Sequence, residues 1–202
     1  MRRLVKKAVY QVKFRRRRAG KTNFYARKKL ILSRKARFVV RISNKYVTAQ
    51  VIEAEAIGDK VLISSHSSEL SKSYSWPASC KNISATYLTS FLCGLKALSK
   101  GIKEAVLDTG LRTPSHGARV FAALEGASDA GLNIKHDARV FPDDSRIRCE
   151  HIANYASKLS TENPKLYEER FSQYLSKGVR PEDLPKIFDQ VKSKIKESIK
   201  IE

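Results

Sequence analysis

The sequence predicts an α/β domain of three layers with a mixed β-sheet, a basic N-terminal arm and a helical C-terminal extension. Residues 38–43, 46–52 and 60–65 are rich in β-branched and aromatic residues and are separated by short turns, a pattern typical of a three-stranded meander. Apolar residues at helical spacing then flank one more short apolar run at 105–107. Because a helix precedes this fourth strand, a crossover that adds it in parallel is possible, and the sheet is expected to be mixed.

Local signals place the elements of this domain. The first two strands are joined by a turn at residues 44–45, and a polar, serine-rich loop follows the third strand. Asn82 is a good N-cap for the helix that ends at Gly101, and Ser115 is expected to cap a second helix that ends at Gly131.

The two ends of the chain differ from this middle part. Residues 1–21 are expected to form an extended arm, and Thr22 or Asn23 to cap a short basic helix that ends near Arg34. Residues 132–150 are irregular in pattern, and helices are predicted at about 150–160, 164–177 and 182–200. We therefore expect three parts: a basic arm with a short helix at 1–37, an α/β core at 38–135, and a linker with helices at 136–202.

The charge is distributed very unevenly. Residues 1–52 contain 18 of the 40 Lys and Arg residues and none of the 20 Asp and Glu residues, so this segment carries +18 of the net charge of +20. A surface shaped only for solubility would mix the two signs. The asymmetry indicates a polyanionic partner, of which nucleic acid and an anionic membrane are the main candidates.

Other classes of function are less favoured by the sequence. No apolar run approaches the ~18 residues that a membrane span needs, although an interfacial basic helix at 22–37 remains an alternative. The three cysteines lie far apart and lack CxxC spacing, which disfavours a disulfide framework or a zinc site. We expect an intracellular protein with no metal, no cofactor and no small-molecule substrate.

The candidate RNA-binding residues fall into two groups. The first is the arm with its basic helix, where cations would pair with phosphates and aromatic rings would stack on unpaired bases or, alternatively, anchor the arm. The second is the glycine-containing loop before the second helix, whose alternative role is a capped turn with solvated arginines. The residues are Lys13, Phe14, Arg15, Arg16, Arg17, Arg18, Lys21, Thr22, Tyr25, Arg27, Lys28, Lys29 and Arg34 in the first group, and Arg112, His116 and Arg119 in the second.

Catalytic residues are not predicted. Asp108, at the end of the fourth strand, is the one well-placed acid, and a single carboxylate cannot hold two metal ions. The string Gly20-Lys21-Thr22 lacks the strand and leading glycine of a phosphate-binding loop. A divergent nuclease and a peripheral membrane binder remain the alternatives to an RNA-binding protein.

Four blocks of sequence, taken together, resemble a known family. They are KAVYQVKFRRRRAGKTNFYARKKLI, RFVVRISNKYVTAQVI, KNISATYLTSFLCGLKAL and AVLDTGLRTPSHGARVFAALEGASDAGL. In this order they are similar to the universal large-subunit ribosomal protein L-eighteen, called L-five in eukaryotes. The chain length and the C-terminal helices resemble the archaeal branch, and the basicity disfavours a halophilic source.

The resemblance implies a structural, non-catalytic protein of the large ribosomal subunit in the cytoplasm. It implies a ribonuclease-H-like arrangement of the core, binding of 5S rRNA, attachment of that RNA to 23S rRNA in the central protuberance, and contacts with neighbouring ribosomal proteins. The family's arm lies on 5S rRNA, and the matching positions here are the basic ones between Lys13 and Lys29.

Overall fold

The computed structural model describes residues 11–199, which contain four β-strands and nine α-helices. The strands are β1 (Arg37–Ile42), β2 (Val47–Ala54), β3 (Asp59–His66) and β4 (Val106–Asp108). The helices are α1 (Arg15–Arg18), α2 (Phe24–Leu32), α3 (Ser67–Ser73), α4 (Ile83–Ser99), α5 (Arg119–Asp129), α6 (Asp144–Ile147), α7 (Glu150–Glu162), α8 (Pro164–Leu175) and α9 (Leu184–Ser198).

The four strands form one mixed sheet in the order β3-β2-β1-β4. The first three strands pair antiparallel, and β4 pairs parallel to β1, with Phe38 opposite Leu107. The turn between β1 and β2 lies at the predicted position, closed by a hydrogen bond from Ser43 N to the Tyr46 carbonyl. The predicted α/β class and mixed sheet are therefore confirmed.

The sheet has one apolar face and one polar face because side chains alternate along each strand. Phe38 and Val40 of β1 are buried against α4 and α5, in a core that includes Cys93 and Leu124. The opposite face carries Arg37, Val39 and Arg41 and is covered in part by α2, with a cleft between helix and sheet. Helices thus lie on both sides of the sheet.

Helices α4 and α5 approach each other closely through a glycine. A Cβ at Gly126 would lie 2.3 Å from the backbone oxygen of Tyr87, so a larger residue there would force α4 and α5 apart. The side chain of Asn82 accepts a hydrogen bond from Ala85 N and caps α4, as predicted.

The C-terminal helices pack on the far side of α4. Leu184, Phe188, Val191 and Ile195 of α9 are at most 2% exposed and belong to one core with Leu88 and other residues of α4. Helices α7 and α8 form a smaller cluster around Phe171. No helix within residues 11–199 is long and apolar enough to cross a membrane.

Two expectations about local structure in the α/β core were wrong. The serine-rich loop after β3 contains α3, because His66 and Glu69 form a capping box at its start. Ser115 does not cap α5, which begins only at Arg119, after Ala118, without a side-chain cap. The reason lies in Gly117, whose φ of +68° is incompatible with a right-handed helix and delays the helix start.

Candidate nucleic-acid interface

Every residue of the basic segment between Lys13 and Arg18 is exposed. Residues 11–14 form no regular secondary structure, and the four arginines that follow form the single helical turn α1, so the expectation of an arm that is extended throughout residues 1–21 was wrong. The part of the arm at residues 1–10 lies outside the described residues. Phe14 is 91% exposed, and Arg17 stands over the Phe24 ring at 5.9 Å, which brings α1 and α2 together.

Helix α2 displays its side chains to solvent. Asn23 accepts hydrogen bonds from Tyr25 N and Ala26 N, both at 3.1 Å, which confirms one of the two predicted caps. None of the residues of α2 is buried, and Tyr25 is 77% exposed. A ring with this exposure, beside lysines at 28 and 29, is available to stack on an unpaired base.

Most cations between Lys13 and Arg34 have no acidic neighbour in the structure. Across residues 11–199, no carboxylate oxygen lies within 4.0 Å of the charged groups of the following residues: Lys13, Arg15, Arg16, Arg17, Arg18, Lys21, Lys28, Lys29 and Arg34. Arg16 instead donates to the Thr22 hydroxyl. The segment therefore presents a concentrated field of positive charge.

A chain of ion pairs fixes α2 to the polar face of the sheet. Arg27 of α2 donates to Asp59 at 2.8 Å, and Arg37 of β1 lies 2.7 Å from the other oxygen of Asp59, although not aligned as a hydrogen bond. Arg37, only 3% exposed, also donates to Asp108 at 2.9 Å, and Arg41 donates to the same carboxylate at 2.9 Å.

Asp108 serves as the centre of this chain. Burial by itself would raise the pKa of Asp108, but hydrogen bonds and charge from Arg41, the Gly110 N–H and Arg37 outweigh burial and hold the pKa below its ordinary value. The one acid considered as a catalytic group is thus an ionised partner of two guanidinium groups.

A cleft of about 760 Å³ lies between α2 and the polar face of the sheet. Its apolar floor includes Val39, Ile52 and Leu107. Asp59 and Asp108, the acids among its lining residues, are paired with Arg27, Arg37 and Arg41. The cationic lining residues without an acidic partner within residues 11–199 are Arg16, Lys21, Lys29 and Arg112. A floor of this kind suits the face of a base, and the cations suit phosphates.

The second group of candidate residues does not form one site, since the cleft includes only one of its three members. Arg112 lines the cleft and donates to the Ile42 carbonyl at 2.8 Å. His116 is exposed and contacts the Arg139 carbonyl at 3.0 Å through a ring nitrogen. Arg119 lies elsewhere, donating to the Lys81 carbonyl at 3.1 Å, so His116 and Arg119 are not part of the cleft.

Sequence reasoning missed Arg37, Arg41 and Gln50 as lining residues of the cleft. A signal for the two arginines was present, since they occupy alternate positions of β1 with Val39 and must share a face opposite the apolar one. Gln50 has no comparable signal, because its place beside Val39 depends on strand register.

Comparison with known proteins decides the family. The model of the family described as "Ribosomal large subunit proteins 60S L5, and 50S L18" matches residues 8–106 and 99–137. The chain belongs to this family. It is 51% identical over 95% of its length to the "Large ribosomal subunit protein uL18" of Aeropyrum pernix, covering 89% of that protein. It is 53% identical to that of Ignicoccus hospitalis (96% of this chain, 94% of that protein) and 50% identical to that of Methanothermobacter thermautotrophicus (94% and 97%).

Membership in this family settles the class of function. The family consists of structural proteins of the large ribosomal subunit, which works in the cytoplasm, and the chain is not an enzyme. The alternative of a divergent nuclease is therefore rejected, in agreement with the paired state of Asp108.

Proposed function

We propose that this ribosomal protein binds 5S rRNA and helps to attach it to 23S rRNA in the central protuberance of the large subunit. The observation that carries the proposal is the group of cations on α1 and α2 that lack acidic neighbours within residues 11–199, of which Arg16 and Lys29 line the cleft. When these cations pair with RNA phosphates, the counterions condensed on the RNA are released, and this release supplies most of the affinity.

The cleft adds a way to recognise irregular RNA. Its apolar floor and the exposed rings of Phe14 and Tyr25 favour bases that are not paired in a helix. We assign the contacts to Lys13, Phe14, Arg15, Arg16, Arg17, Arg18, Lys21, Thr22, Tyr25, Arg27, Lys28, Lys29, Arg34 and Arg112, with His116 and Arg119 as outlying contacts. In this proposal residues 1–37 bind RNA, residues 38–135 hold that segment in place, and residues 136–202 meet neighbouring ribosomal proteins.

Deletion of residues 1–21 tests the proposal. We expect much weaker binding to 5S rRNA and a flatter dependence of affinity on salt, by roughly 0.7 to 0.9 of a log–log slope unit for each phosphate that the shortened protein no longer binds. Filter binding from low to moderate salt measures both quantities, with a transfer RNA as the competitor that controls for unspecific binding. Unchanged affinity and slope would show that the arm does not contact 5S rRNA.

A further inference from the structure

A second basic cleft lies away from α2, on the helical side of the molecule. It has a volume of about 340 Å³, and its basic lining residues are Lys81, Arg119, Arg146 and His151. Within residues 11–199, no aspartate or glutamate is among its lining residues. Nor does any of the four basic residues form an ion pair with a described acid.

The four basic residues come from four separate places in the fold. Lys81 precedes α4, Arg119 begins α5, Arg146 lies in α6 and His151 in α7. Because β4 runs parallel to β1, with α4 before it and α5 after it, the starts of α4 and α5 meet at the end of the sheet where β1 and β4 finish. The topology therefore assembles the cluster from residues that are far apart in the sequence.

The floor of this second cleft is firmly packed. Ser84 and Cys149 are at most 1% exposed, and their side chains are 2.8 Å apart, joining α4 to the start of α7. The basic side chains above them are in contrast accessible: Lys81, Arg146 and His151 are exposed, and Arg119 is half-buried. Arg119 is oriented by its bond to the Lys81 carbonyl, while the side chains of Lys81 and Arg146 form no hydrogen bond with a described residue.

From this arrangement we infer that the second cleft binds the phosphate backbone of an RNA segment other than the one held by the arm and α2. Lys81, Arg119 and Arg146 place three like charges around one cleft, and an anion bound between them would offset their mutual repulsion. A phosphodiester supplies that anion, and arginine and lysine are the side chains that bind it. The inference rests on the proposed function, because it takes RNA as the partner; the segment belongs either to 5S rRNA or to 23S rRNA.

The test is the double variant Lys81→Gln/Arg146→Gln in the full-length protein. The matched control is Lys165→Gln/Lys194→Gln, which removes the same charge from exposed positions on α8 and α9. Binding to 5S rRNA and to 23S rRNA is measured separately as a function of salt. Thermal unfolding of both variants verifies that neither one has lost its fold.

We expect the salt slope to fall by roughly 1.4 to 1.8 for one of the two RNAs in the cleft variant, at roughly 0.7 to 0.9 for each phosphate contact. The control should keep the wild-type slope. The RNA whose salt slope falls is the one that supplies the segment. If the cleft variant and the control have equal salt slopes on both RNAs, the inference is overturned. That result is expected if the cleft binds an acidic protein segment instead. Failure of the arm deletion to affect 5S rRNA binding is a separate result, since the cleft variant retains the arm.

Discussion

Replacement of Asp59 by asparagine would test how α2 is held on the sheet. The carboxylate joins Arg27 of α2 to Arg37 of β1, and its side chain is 25% exposed. Loss of the pair with Arg27, which is 34% exposed, costs about 0.5–1 kcal/mol because solvent screens it. Arg37 is 3% exposed and loses one of its two carboxylate partners.

The second loss is the larger one. A buried ion that loses its only charge partner destabilises a protein by about 3–5 kcal/mol. Because Arg37 keeps Asp108 as a partner, we expect the loss of its pair with Asp59 to cost about 1–2 kcal/mol. The free energy of unfolding should thus fall by about 2 kcal/mol in total. Urea denaturation at neutral pH measures it, and hydrogen exchange should show the amides of α2 losing more protection than those of the core.

The RNA affinity of Asp59→Asn provides a second measurement, in which the added positive charge and the loosened α2 act in opposite directions. The substitution makes the protein more positive by one charge, which by electrostatics alone would strengthen RNA binding. If the placement of α2 matters, the affinity should fall in spite of the added charge. Glu55→Gln is the matched control, since Glu55 forms an exposed pair with Lys60, 3.5 Å away, and should change stability by no more than about 0.5 kcal/mol. Equal stability and equal affinity of the two variants would refute the reasoning.

Two further predictions concern α5. Burial, with the charge of Asp129 as the next cause, raises the pKa of Glu125 to about 7. The folded protein therefore favours the protonated carboxyl group, whose contribution to stability is complete below the ordinary pKa of about 4.5 and is lost as the pH rises from there through 7. Glu125→Gln should therefore gain about 1–2 kcal/mol over wild type at pH 8, after allowance for partial exposure, and little at pH 5; parallel pH profiles in urea unfolding would contradict this. Gly126→Ala should lose about 1–3 kcal/mol in the same assay, because its Cβ would meet the Tyr87 carbonyl, whereas Gly58→Ala, with nothing within 4 Å, is the control that should stay near wild type.

Local sequence patterns predicted most of the fold. The meander and the long helices were found because β-branched runs, apolar spacing and the cap at Asn82 act over a few residues. Helix α3 was missed because histidine is a rare N-cap and the segment is rich in serine. The start of α5 was misplaced because Ser115 looked like a cap, while the positive φ of Gly117 is set by the loop around it.

Local sequence patterns could not predict the two clefts. Strand pairing brings Arg37 close to Asp108, and nothing near Arg27 in the sequence indicates its partner Asp59, 32 positions away. The second cleft collects residues from four places in the fold, two of which, α6 and α7, follow a segment without a clear pattern. Composition predicted the kind of partner, and only the tertiary structure shows where the charges converge.

The separation of acids from bases along the chain has a structural consequence. Because residues 1–52 contain no acid, their 18 cations cannot be neutralised by neighbours a few positions away, as usually happens on a helix. The acids that reach them come from the folded sheet and its edge, and the ion pairs within residues 11–199 involve only the cations at 27, 35, 37 and 41 of this segment. Folding therefore divides the cations from Lys13 onward, which the structure describes, into two sets. One set fixes α2 and the sheet to each other, and the other set has no acidic partner within residues 11–199. In the proposed function, rRNA phosphates supply the missing negative charge on that surface.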